Sequence, residues 1–219
     1  MSGADQPVES AENSTEKSQE KAAVLPVWPS QGSNIRIWSL LSRKKDGFWQ
    51  VKENISGDVF SVDARGTYDA KSEFQFYVVP KPDPNEVIPD DSTPAWIGIP
   101  GKSIGGAANQ SKVYMLQWTE KDGVKTIQAK GFEARSDPRD PPVVNDESDM
   151  LHMTFLVEFF SKTKYFNFRD FNHLEPGASG DNYVKTRSKG IIDRLPVERD
   201  NLVSTWSTDP GLQYYVTAV

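Results

Sequence analysis

A chain of 219 residues without a single cysteine has the length of one β domain of ordinary size with tails, because two domains in that length would each be small and would lack disulfides. The absence of thiols excludes a disulfide scaffold, a thiolate zinc site and a cysteine nucleophile together. A formal net charge of −6 removes the overall basic footprint expected of a nucleic-acid binder.

Hydrophobic residues make up 37% of the chain and include 11 Phe, 7 Tyr and 6 Trp, so an apolar interior can be filled. Fifteen Gly and fifteen Pro are spread through the body, which predicts short elements with frequent reversals and suits an all-β sandwich or barrel.

Residues 1 to about 24 are polar, with five acids against two bases, and such a composition cannot bury enough apolar surface to fold alone. The first thirty residues contain no apolar h-region and are not read as a signal peptide, and no later stretch reaches the roughly 18 apolar residues of a membrane span. A cytosol-like compartment is the expectation, and the sequons at Asn13, Asn54 and Asn109 are read as chance matches.

Period-2 patterns begin after this arm. Ile35, Ile37, Trp38 and Leu40 mark one strand, Phe48–Val51 follows Asp46-Gly47, and Val59–Val62 follows Gly57-Asp58. Alternation is clearest at Phe74, Phe76 and Val78, with Glu73 and Gln75 facing the other way and Pro80 ending the strand. The stretch from Pro80 to Asn109 holds six prolines and is read as a long surface connection, a place where contacts are often made. Tyr114, Leu116 and Trp118 then pair with 124–129 in a hairpin closed by Asp122-Gly123. A second polar loop over 133–149 precedes the longest apolar strand, with Leu151, Met153, Phe155, Val157 and Phe159 on one face. Beyond it, Tyr165–Phe168 and Phe171 have no clean period, Ile191–Val203 is read as including a helical turn broken at Pro196, and a final strand is placed at Leu212–Val216. The division is therefore an acidic arm over 1–30, a β-sandwich over 31–168, and an extension over 169–219 that packs on the body or on a neighbouring subunit.

Only His152 and His173 exist; His152 is read as a strand-face or core histidine, His173 as exposed, and no G-x-S-x-G elbow accompanies either. GIPGKSIGG contains Gly101-Lys102-Ser103, but the glycine that a phosphate loop needs five residues earlier is replaced by Trp96. Gly105-Gly106 is read as loop flexibility. Asp137, Asp140, Asp146 and Asp149 are candidate Ca²⁺ ligands across a subunit interface, because loop carboxylates supply the hard oxygens that Ca²⁺ takes; otherwise no cofactor is expected. Lys185, Arg187 and Lys189 alternate and would share one face of an extended segment, which makes them candidate nucleic-acid contacts or the lysines of a blunted edge strand. No pair among the 31 acids is singled out for glycoside hydrolysis, and the chain is not read as an enzyme.

The arm, the short strands, the long loops and the trailing extension together resemble the jelly-roll coat proteins of small icosahedral positive-strand RNA viruses. SEFQFYVVPKPDPNEVIP is similar to their strand followed by an Asp/Pro-rich loop, and MLHMTFLVEFF to their final long strand. The resemblance implies a single jelly roll with tails at both ends, assembly with copies of itself and possible other coat subunits, and residence in a virion assembled in host cytoplasm. The acidic arm departs from the basic arm of many such proteins, so RNA contact through it is weak at most. An alternative, cytoplasmic reading is a carbohydrate-binding module that stacks sugars on Trp96 and Trp206.

Overall fold

A computed structural model describes residues 29–41, 47–79, 92–121, 124–160, 165–170, 181–187, 192–197 and 210–219. The expected arm, His173, Lys189 and Trp206 lie outside the described residues. The strands are β1 (Ser33–Ser39), β2 (Phe48–Ser56), β3 (Val59–Gly66), β4 (Phe74–Val78), β5 (Ser92–Pro100), β6 (Lys112–Lys121), β7 (Val124–Glu133), β8 (Phe155–Phe160), β9 (Tyr165–Asp170), β10 (Asp181–Thr186), β11 (Ile192–Val197) and β12 (Tyr214–Ala218). Two short helices interrupt them, α1 (Gly101–Ile104) and α2 (Glu147–Met153). The chain is all-β, and every ladder among the described residues is antiparallel.

Four strands change partners along their length. β1 holds β12 on one side, and on the other meets β4 at Ser33–Ile35 and β2 at Trp38. β5 holds β4 on one side, and on the other β8 at Ser92–Ala95 and then β6 at Gly98–Pro100. β7 pairs with β6 throughout and with β3 and β11 across its other edge, while β9 pairs with β8 throughout and with β12 and β10 opposite. Following neighbours from β1 through β4, β5, β8, β9 and β12 returns to β1. Such closure pairs backbone groups that an open sheet would leave at its edges.

The interior is filled from opposing walls. Trp49 on β2 meets Phe168 on β9 at 5.1 Å and Tyr214 on β12 at 5.2 Å between ring centroids, and Trp118 on β6 meets Phe155 on β8 at 5.2 Å. These pairs join strands that share no ladder, so they are packing across a sandwich interior. Trp49 and Trp118 are core residues, as their strand positions predict.

A second apolar layer lies on the opposite face of β4, β5 and β6. Tyr77, Trp96, Val113, Met115 and Met153 form it, with Val79, Phe132, Val144 and Met150 against them. Both faces of β4 are consequently buried along all five residues. Helix α2 and the segment before it supply the cover: Asp146 caps α2 by accepting from the Ser148 and Asp149 amides, and Met150 and Met153, three residues apart, point one face at the sheet.

Several expectations are overturned here. The long strand predicted from Leu151 begins only at Phe155, because 147–153 is helical, and His152 lies exposed on that helix instead of on a strand face. The predicted surface connection over 80–110 contains β5, whose Ala95, Ile97 and Ile99 are core residues. Pro196 breaks no helical turn; it lies in β11 opposite Asn182 of β10. The stretch beyond 168 supplies β10, β11 and β12, and its Val184, Ile192, Tyr214 and Val216 belong to the main core.

Candidate functional site

The outer layer of β4, β5 and β6 ends in an open cleft of about 160 Å³, bounded by the β5–α1 turn on one side and by residues 134–140 on the other. Its shape depends on Gly101. A Cβ there would lie 1.8 Å from the Asn109 carbonyl oxygen, so only glycine allows the turn to close against Asn109. Asn109 is itself fixed, its amide donating to the Gly105 carbonyl at 2.6 Å and its side-chain oxygen accepting from the Tyr114 hydroxyl at 2.6 Å. Gly105 and Gly106, with φ of 88° and 86°, make the reversal that a side chain would strain. The expected loop flexibility is thus a fixed left-handed turn, and the Asn109 sequon is bound up in it.

The floor is polar and buried. Gln75 and Tyr77 alternate on β4 with the core residues Phe74 and Phe76, so both point into the outer layer. The Tyr77 hydroxyl donates to Gln75 Oε1 at 2.6 Å, with the Pro138 carbonyl farther away at 3.3 Å. Burial pushes the Tyr77 phenol well above its ordinary range, so it stays neutral and keeps this proton. With Oε1 engaged, the Gln75 amide nitrogen faces the cleft and finds no acceptor among the described residues.

Charged groups form the rim. Lys112 donates to Asp58 at 2.5 Å, and that hydrogen bond holds its ammonium above the ordinary value. Arg135 spends only its Nε, on the Pro141 carbonyl at 3.1 Å, and Lys102 has no carboxylate partner among the described residues. Asp140 is the acid in the lining, and it lies in the field of Arg139. The cleft therefore offers one amide donor and two cations without a carboxylate partner among the described residues, a set suited to an anion.

The predicted site residues are mostly not brought together. Asp137 binds Arg139 at 2.9 Å, Asp146 caps α2, and both oxygens of Asp149 accept from Lys130 at 2.7 and 2.8 Å. Among the described residues no three His, Cys, Asp or Glu side chains are grouped so as to hold a metal. Only Asp140 of the four lines the cleft. Lys185 lies on β10 opposite Asp193 of β11, and Arg187 follows the last residue of that strand.

Trp96 is a correction. It is 9% exposed in the outer layer, and its indole N–H donates to Thr154 Oγ1 at 2.9 Å, so its ring presents no face for a sugar. Among the described residues the exposed large aromatic is instead Tyr68, 67% exposed, which lies 3.6 Å from the buried Arg36 guanidinium.

The cleft residues Gln75, Tyr77 and Arg135 were not singled out by sequence, and Lys102 drew notice only within a failed phosphate loop. One signal was present: Tyr77 occupies the parity position that a solvent-facing strand residue would take. An aromatic there indicates a covered outer face. No protein-family model matches the chain, and no curated protein matches it. Among the described residues no helix is long and apolar enough to cross a membrane.

Proposed function

We propose that the chain is a structural subunit that assembles with copies of itself into a shell, in the manner of viral coat proteins, and that its strands are a variant of the single jelly roll. The observation that carries this reading is the pairing of the first and last strands. β1 and β12 lie side by side inside the closed ladder system, so the strand that follows the acid-rich residues 1–28 in the sequence is built into the wall of the body. Polar groups at the cleft are arranged to hold a group in place, which suits contact between subunits. Calcium at an interface is not part of the proposal, because three of the four acids that would bind it serve local ion pairs or a helix cap: Asp137, Asp149 and Asp146.

Size-exclusion chromatography with electron microscopy of the purified full chain tests the reading. Large, uniform particles are expected. A stable monomer at all concentrations sinks it. Sugar binding through Trp96 is withdrawn with that residue's burial, and Lys185 and Arg187 are retained as the candidate RNA-facing pair, to be checked by the salt dependence of RNA retention in the particles.

A further inference from the structure

We propose that the cleft between α1 and residues 134–140 is the docking site for an acidic side chain from the segment 1–28 of this chain. The recognising chemistry is the Gln75 amide at the floor with Lys102 and Arg135 at the rim. The Gln75 residue is 8% exposed, and its donor has no acceptor among the described residues. That donor opens onto the cleft, where an acceptor brought to it can engage it.

Shape and charge narrow the occupant. A cleft of about 160 Å³ holds one side-chain-sized group, comparable to a cavity that takes up benzene. Val113, Pro100 and Pro138 give it apolar walls against which the methylenes of a glutamate can lie. A carboxylate can accept from the amide, guanidinium and ammonium donors that line the cleft, while Asp140 in the lining disfavours a doubly charged phosphate.

The source of that carboxylate follows from the sequence and from where the body begins. The segment carries Asp5, Glu9, Glu12, Glu16 and Glu20 against Lys17 and Lys21. It joins the body at the cleft wall. Gln31 donates to the Arg139 carbonyl at 3.2 Å and accepts from the Val78 amide at 2.7 Å, and Gly32 sits so close to Arg139 that a Cβ would lie 2.5 Å from its Cα. Arg139 stands between Pro138 and Asp140, both cleft residues. A chain spans up to about 3.3–3.6 Å per residue when extended, so even the nearer acids reach the cleft of the same or an adjacent copy. The inference stands whether or not the chain builds a shell.

The test is zero-length carbodiimide coupling of the full chain, with joined peptides mapped by mass spectrometry. Lys102 is expected to join one of the five acids of the segment. The yield is expected to fall several-fold in Gln75→Leu and in Arg135→Ala, and trypsin cleavage after Lys17 and Lys21 is expected to quicken several-fold in the same variants. Arg135 is exposed, so its variant keeps the test meaningful if Gln75→Leu fails to fold. Coupling of Lys102 only to acids of the body, or a yield and a cleavage rate unmoved by both substitutions, overturns the proposal. Mixing ¹⁵N-labelled with unlabelled chains identifies the donor copy. Mixed-isotope products place the contact between copies; same-chain products alone leave this inference standing and count against the segment's use in a shell.

Discussion

At the scale of the residue, burial decides what each polar group does. Tyr77 is a phenol whose ionisation is resisted by desolvation. Its folded value is raised above the ordinary 10.0, so its contribution to stability is complete below about pH 10 and is lost as the pH rises from there towards the folded value. Unfolding by alkali is therefore expected to steepen above about pH 10, and Tyr77→Phe should flatten that slope. The same substitution should cost about 1 kcal/mol at neutral pH through the lost bond to Gln75. Denaturant melts at pH 7 and pH 11, compared for the two proteins, check both numbers; an unchanged alkaline slope would show that Tyr77 ionises freely.

Among the elements, α2 shows how an irregular segment is fixed by a few contacts. Its cap is Asp146, its last turn seats Met153 at 0% exposure, and Lys130 of β7 grips Asp149. Asp146→Ala is expected to lose about 1 kcal/mol, and Met153→Ala about 2–5 kcal/mol through the cavity left over Trp96. Hydrogen exchange at Met150 and Thr154, whose amides donate to Asp146 and Met150 carbonyls, should quicken in both. Exchange unchanged in Asp146→Ala would show that the cap is dispensable.

These elements also show where sequence is informative. β1 to β3 were legible because one face of each met the core and the other read as polar; β4 and β6 were legible although both their faces are covered, because the core-facing Phe74, Phe76 and Val78 and Tyr114, Leu116 and Trp118 still alternate. β5 was not, because it is buried on both faces and carries Pro94 and Pro100, which read as loop. Pro94 is tolerated where its carbonyl, not its missing N–H, meets the Val79 amide. α2 was hidden by Met153, whose position two before Phe155 imitates a strand. The cleft was illegible for a different reason: Gln75, Lys102 and Arg135 are brought together by three separate chain reversals, and no local spacing encodes that meeting.

On the scale of the whole molecule, the C-terminal strand is a wall of the core. Tyr214 is fully buried, packs on Trp49 and Phe168, and shares its hydroxyl with Thr186 at 3.1 Å and the Val184 carbonyl at 3.2 Å. Tyr214→Ala is expected to cost about 3–5 kcal/mol, and deletion of residues 214–219 should abolish cooperative unfolding altogether. Near-ultraviolet circular dichroism reads both; a truncated chain that keeps its aromatic signal and a sharp transition would mean that the body closes without β12.

The seam between β1 and β12 also sets a timetable. Ile37 finds Val216 across almost the full length of the chain, and closing so long a loop is entropically costly before any contact rewards it. On a ribosome, β1 emerges long before β12, so one flank of its backbone lacks its partner until residues 214–218 have been made. Such a strand invites pairing with the wrong neighbour, so productive folding of this protein waits for β12, and its yield should depend on how long the unfinished edge is kept apart from others of its kind.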